Sequence, residues 1–188
     1  MKTNSSASGQ PRKRPSVTAP ITIGVSACLL GEHVRYDGGH KHDRYITDTL
    51  GMYFNFIPVC PEVGCGLPTP REAMRLEGSP ADPRLMTCVT RIDRTEQMLA
   101  YCSAKIKELE SKDLCGFIFK ERSPSCGLAT VPLYGGGTSE MFAAGLFANA
   151  VVRCFPRMPL EEAERLNNSS ILKNFIERVF LYCSMKNV

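Results

Sequence analysis

The sequence predicts an α/β protein: a single three-layer, Rossmann-like domain with a mostly parallel sheet. Two observations lead there. Short apolar or β-branched runs recur at 21–26, 54–59, 85–90 and 115–119, bounded by turn formers. Segments with helical spacing alternate with them, as parallel strands joined by crossover helices require. No internal repeat is present.

The first strand reads Ile-Thr-Ile-Gly-Val-Ser, and a loop rich in Gly, His and charge follows from Gly31 to Asp43. A short helix is expected over 45–53, then a strand over 54–59 that Cys60-Pro61 ends. Prolines and glycines make 61–84 mostly loop, ahead of a third strand at 85–90. Asp93 and Glu96 form a capping-box pattern. Behind it Met98, Leu99, Cys102, Ile106 and Leu109 recur at helical spacing and give one apolar face. Residues 115–119 read as a short buried strand, and Gly135-Gly136-Gly137 as a flexible turn. An apolar helix is expected over 141–154, stopped by Pro156, and a turn or two of helix over 161–166. Ser170 then caps a last helix with Ile171, Leu172, Phe175, Ile176, Val179 and Phe180 on one face.

At 188 residues the chain can bury one sizeable core, and its 43% hydrophobic and 22% charged fractions are those of a globular protein. No run approaches the roughly 18 apolar residues of a membrane span. Residues 1–20 lack the apolar core of a secretory signal, so the protein is expected in the cytosol. Lys2, Arg12, Lys13 and Arg14 account for the formal charge of +4, leaving 19 basic against 19 acidic residues. A disordered basic tail over 1–20 and a near-neutral folded part follow. Nine cysteines in a chain without an export signal point to thiols and metal ligands rather than disulfides.

Three of these cysteines follow predicted strand ends: Cys28 in Val-Ser-Ala-Cys, Cys60 in Pro-Val-Cys-Pro-Glu and Cys126 in Ser-Pro-Ser-Cys-Gly. Loops at the carboxyl ends of parallel strands form the usual ligand crevice. Three thiolates converging there would make a soft-metal site with one position open, suited to an iron–sulfur cluster or to zinc. Glu62 at a strand end is a candidate base, with Asp37 the next, and Ser123 stands beside Cys126. Arg35, His40, Lys41 and Arg71 could contact an anionic group. Cys60 and Cys65 fit the short Cys-x-x-Cys knuckle of structural zinc sites poorly, so one of them is a bystander unless the site is closed. Cys88, Cys102, Cys115, Cys154 and Cys183 sit in apolar strand or helix patterns and read as packing residues.

The segments Gly24-Val-Ser-Ala-Cys-Leu-Leu-Gly31, Val34-Arg-Tyr-Asp-Gly-Gly-His-Lys41, Cys60-Pro-Glu-Val63, Gly66-Leu-Pro-Thr-Pro-Arg71 and Ser123-Pro-Ser-Cys-Gly127 resemble the DUF523 family. Five motifs in the same order make the resemblance specific, over 21–157. Characterised members are thiouracil desulfurases, or desulfidases, that carry a [4Fe-4S] cluster. The resemblance implies a desulfurase domain over 21–157 and a C-terminal helical extension over 158–188. It implies cluster ligands at Cys28, Cys60 and Cys126, and a catalytic pair at Glu62 and Ser123. Arg35, Asp37, His40, Lys41 and Arg71 fall in its other motifs and are expected on the substrate. The stretch around Arg165–Phe180 looks like the segment that joins DUF523 to a second domain, DUF1722, in longer members. With no such domain following, a thiolated base, nucleoside or nucleotide is expected rather than tRNA.

The implied reaction is a hydrolysis of the carbon–sulfur bond. Three thiolates leave one iron open to bind a thiocarbonyl sulfur as a Lewis acid. Water attacks the ring carbon, Glu62 moves the proton, and Ser123 positions the substrate or relays the proton. No nicotinamide or flavin is needed, and no phosphate-loop or dinucleotide fingerprint is present. The rival reading is a non-enzymatic module in which Cys28, Cys60, Cys65 and Cys126 close a four-ligand metal site. A cysteine-nucleophile hydrolase would need a histidine beside one thiolate, and His33, His40 and His42 all lie in one early loop.

Overall fold

The computed structural model describes residues 21–135 and 141–186. The tail at 1–20 and most of the Gly135-Gly136-Gly137 turn lie outside them. Four parallel strands make the central sheet, in the order β2-β1-β5-β8. They are β1 (Ile21–Ser26), β2 (Phe54–Val59), β5 (Phe117–Phe119) and β8 (Leu160–Glu162). β1 pairs with β2 from Ile21↔Phe54 to Ser26↔Val59, and with β5 at Gly24↔Phe117 and Val25↔Ile118. The period of two sorts their side chains onto two faces. Ile23, Val25 and Ile118 face one core, with Phe175 and Val179 of the last helix, α4 (Ser169–Lys186). Phe117, Phe119 and Val59 face the other.

That second core is roofed by α2 (Thr95–Glu110), which buries Met98, Cys102, Ile106 and Leu109, and by α3 (Leu146–Cys154). Phe117 stacks on Phe119 at 4.2 Å, and Phe147 of α3 meets both rings edge-on at 5.8 and 6.4 Å. Gly24 lies under this cluster because a Cβ there would come within 2.3 Å of the Phe117 ring. Truncating Phe147, which is fully buried, should leave a cavity in the centre of the layer. Phe147→Ala is expected to destabilise the protein by about 3–5 kcal/mol, measured as a drop in the urea midpoint; a change below about 1 kcal/mol would show that the layer collapses to fill the space.

The sequence reading needs several corrections. The segment 61–90 is not loop followed by one more strand of the central sheet. It opens with one helical turn, α1 (Pro61–Gly64), and then folds as an antiparallel hairpin, β3 (Met74–Ser79) and β4 (Asp82–Thr87). The hairpin belongs to a second sheet, β4-β3-β6-β7, completed by β6 (Val131–Tyr134) and β7 (Met141–Ala143). Pro83 is tolerated because β4 is an edge strand. The helix expected from 141 begins at Leu146, after Gly145. The 161–166 segment is strand β8 followed by a 3-10 turn, Ala163–Asn167. Tyr45–Thr49 is a π-helical turn that runs into a 3-10 turn, Leu50–Met52. Asn168, not Ser170, caps α4: its Oδ1 accepts the N–H groups of Ser170 and Ile171 at 3.0 and 3.2 Å. The capping box does not form: Arg94 is the N-cap of α2 and its side chain makes no cap bond, Thr95 N–H donates to Asp93 Oδ1 at 2.8 Å, and Glu96 faces Arg84. Among the described residues no helix is long and apolar enough to cross a membrane.

Candidate active site

β1, β2 and β5 are neighbours and parallel, so their carboxyl ends reach one rim. The chain leaves β1 toward β2 on one side, and β5 pairs on to β8 on the other. The crevice at such a reversal of strand order is where open α/β sheets place ligands. Each of the three strands delivers a cysteine there. Cys28 sits in the 3-10 turn Ala27–Leu30 directly after β1. Cys60 ends β2 and begins α1. Cys126 lies in the loop after β5. All three line one cavity of about 410 Å³, whose far wall includes Ala73 and Met74 at the start of the second sheet.

The Cys126 loop is held by a helix. The first N–H groups of α3 have no partner within the helix. Leu146 donates to Pro124 O at 3.1 Å, and Phe147 and Ala148 donate to Ser125 O at 3.0 and 3.1 Å. Gly145 N–H adds a bond to Gly127 O at 2.7 Å. Gly145 allows this approach, since a Cβ there would lie 2.5 Å from the carbonyl carbon of Ser125.

The thiols sense one another. Burial pushes the Cys28 thiol up to about 11; the charge of Cys60 adds to the rise, and Lys120 and Arg35 oppose it. Burial also raises Cys60, against hydrogen bonds from the backbone of Val63 and Glu62. Cys126 is raised most by burial, eased by a hydrogen bond with Ser26 and raised further by the charges of Cys60 and Cys28. The charge of Cys60 disfavours those of Cys28 and Cys126, a repulsion that bound cations relieve. Among the described residues no three His, Cys, Asp or Glu side chains gather tightly enough for a single ion. Thiolates are the donors that iron–sulfur clusters take, so the three thiols lining this cavity fit such a group. Cys65 is not on the cavity wall. It closes α1, with its thiol directed to Glu62 O at 3.2 Å.

Glu62 projects from α1 into this cavity and is clamped at both oxygens. Oε2 accepts from Arg71 Nε at 2.8 Å and lies 2.7 Å from Nη2. Oε1 accepts from Ser125 Oγ at 2.8 Å, and Ser125 Oγ lies 3.0 Å from Ser123 Oγ. Arg71 is 6% exposed at its side chain, and its remaining N–H groups reach Val34 O at 2.8 Å, Pro68 O at 3.1 Å and Thr69 Oγ1 at 3.2 Å. Four hydrogen bonds and the ion pair therefore engage its guanidinium within the protein.

Of the other expected substrate residues, Arg35 and Lys41 line the cavity. Asp37 does not; it accepts Gly39 N–H at 3.0 Å and pairs with Arg35 at 3.4 Å, and these contacts hold its carboxyl below the usual range. His40 is exposed, with its ring nitrogen accepting His42 N–H at 3.1 Å. Sequence reasoning gave no role to Ser125, Ser26 or the Lys120–Glu121 pair, although Ser125 and Lys120 lie in the same eight-residue stretch as Cys126.

The fold and the cavity define a thiol-rich α/β site with a fixed carboxylate beside it, fit for a soft metal group and for proton transfer. The chain belongs to the 2-thiouracil desulfurase family, whose profile matches residues 23–163. Among solved structures it is similar to the [4Fe-4S]-dependent thiouracil desulfidase TudS (DUF523), with a TM-score of 0.62 and 28% identity over 82% of this chain and 98% of that one. No curated protein matches.

Proposed function

We propose that this protein is an iron–sulfur-dependent desulfidase of small thiolated uracil compounds, releasing sulfide and leaving the uracil-type carbonyl without net electron transfer. The observation that carries this reading is the meeting of three strand-end thiols and a clamped carboxylate on one cavity. Cys28, Cys60 and Cys126 would hold a [4Fe-4S] cluster. When bound, such a cluster supplies an iron without a protein ligand, a Lewis acid for the thiocarbonyl sulfur. Glu62 takes the proton of the attacking water at a carboxylate oxygen. Arg71 serves this step through Glu62, by fixing its orientation, rather than by touching substrate. Ser123 positions the substrate or returns the proton. Arg35, steadied by Asp37, and Lys41 suit an anionic substituent.

The substrate we assign is a free base, nucleoside or nucleotide. Tight binding to a nucleic-acid backbone needs several Lys or Arg contacts spread along it, whereas the cavity wall gathers Arg35, Lys41 and Arg122 beside the already paired Lys120 and Arg71 around one small pocket. With thiols rather than disulfides in use, the cytosol is the compartment we assign. The test is anaerobic purification with iron and sulfide analysis, then sulfide release from 2- and 4-thiouracil compounds in competition with thiolated tRNA. A brown protein with about four irons that turns over the small compounds supports the reading. A colourless, inactive zinc protein, or clear preference for the tRNA, would overturn it.

A further inference from the structure

Ser125 is 1% exposed and sits between the two groups assigned to acid–base work, Glu62 and Ser123. Its hydroxyl has one proton. That proton is donated to Glu62 Oε1 at 2.8 Å, because an ionised carboxylate only accepts. In the 3.0 Å contact with Ser123 the direction is then settled: Ser123 O–H donates and Ser125 Oγ accepts. Ser123 Oγ in turn faces the Cys126 and Ser125 N–H groups at 3.2 and 3.4 Å, both donors. Its own proton therefore points along the chain to Ser125 while Glu62 is charged.

From this one-way chain, and resting on the reaction proposed above, we propose that Ser125 is a positioning residue that couples Glu62 to Ser123. When Glu62 Oε1 accepts a proton from water, it becomes a donor. With Glu62 protonated, the Ser123 hydroxyl turns to the cavity and the Ser125 hydroxyl turns to Ser123. Ser123 gives its proton to the departing sulfur as the Ser125 proton passes to Ser123 Oγ and the Glu62 proton passes to Ser125 Oγ. The hydroxide left from water forms the new carbon–oxygen bond as the carbon–sulfur bond breaks. Protons balance without an oxidant or reductant, and the chain ends as it began once sulfide and product leave. The arrangement is rigid because the carbonyl of Ser125 caps the first turn of α3 and Arg71 holds the other oxygen of Glu62.

The experiment uses iron-loaded protein and compares wild type, Ser125→Ala, Ser125→Thr, Ser123→Ala and the double alanine variant. Iron content and visible absorbance are read beside kcat and KM on 4-thiouracil and the solvent deuterium isotope effect. Ser125→Ala is expected to keep its iron and KM, to lose about 10–100-fold in kcat, part of what general acid–base groups contribute, and to change the isotope effect. Ser125→Thr should recover most of the rate. Loss in the double variant should be no larger than in the worse single one, because both remove one chain. Wild-type kcat in Ser125→Ala, or full additivity of the two losses, overturns the coupling and leaves the proposed reaction standing. Loss of iron from Ser125→Ala and Ser125→Thr alike also overturns it, making Ser125 a prop for the Cys126 loop. An iron-loaded wild type that releases no sulfide overturns both the reaction and the coupling.

Discussion

Cys126→Ser is expected to purify without its full complement of iron and without desulfidase activity, while Cys65→Ser keeps both. Serine is smaller and a poor ligand for soft iron, which prefers thiolate. Cys126 is the most enclosed of the three thiols, at 5% exposed, and its loop is anchored to α3 by three helix N–H groups and Gly145. The loop cannot drift to offer another donor, so loss of the sulfur is not compensated. Cys65 lies at the closing end of α1 with its thiol against the carbonyl of Glu62 at 3.2 Å, off the cavity wall. A serine hydroxyl can make that bond too. Iron analysis and the visible spectrum of the two variants decide between them. Iron lost in Cys65→Ser and kept in Cys126→Ser would reassign the ligands and revive the closed four-cysteine site.

That the three cysteines would share one cavity was legible because a parallel sheet brings the ends of neighbouring strands together. Cys28 and Cys60, close behind their strands, need no long-range information to be placed at the rim, and Cys126 needs only that the loop after β5 stay there; the order β2-β1-β5 had to be supplied, and any order that keeps the three adjacent suffices. The second sheet was not legible. In β3 and β4, Leu76 and Leu85 turn inward between Arg75, Glu77 and Arg84, and Gly78 and Pro83 look like loop residues. The charges are tolerated because Glu77 pairs with Arg75 at 2.7 Å and with Arg91. The clamp on Glu62 was hidden for a different reason. Arg71 is nine residues away and Ser125 sixty-three. Sequence spacing says nothing about which of a cation's donors are already in use. Arg71 therefore reads as a residue for substrate, and Ser125 is given no role.

Glu62→Gln should retain its iron and lower kcat by about 10²–10⁴, the usual contribution of a general base, with KM changed only a few-fold. The amide is nearly isosteric, so the cavity keeps its shape. Its hydrogen-bonding is not equivalent. With the amide oxygen toward Arg71, the NH2 group faces Ser125 and forces that hydroxyl to accept and to donate to Ser123 instead. With the amide turned over, two donors confront each other at Arg71 Nε, so the first arrangement wins. Either way no oxygen is left that can hold a proton from water. Arg71, 6% exposed, loses its ionic partner but keeps Val34 O, Pro68 O and Thr69 Oγ1. Breaking a buried pair costs up to about 3–5 kcal/mol, and these remaining acceptors with cavity water should hold the loss below that. The thermal midpoint should fall without loss of the folded, iron-loaded protein. Steady-state rates on 4-thiouracil, normalised to iron, test this directly. A kcat near wild type would remove Glu62 from the base role. Asp37 would not inherit it, since that carboxylate is off the cavity and bound to Gly39 and Arg35.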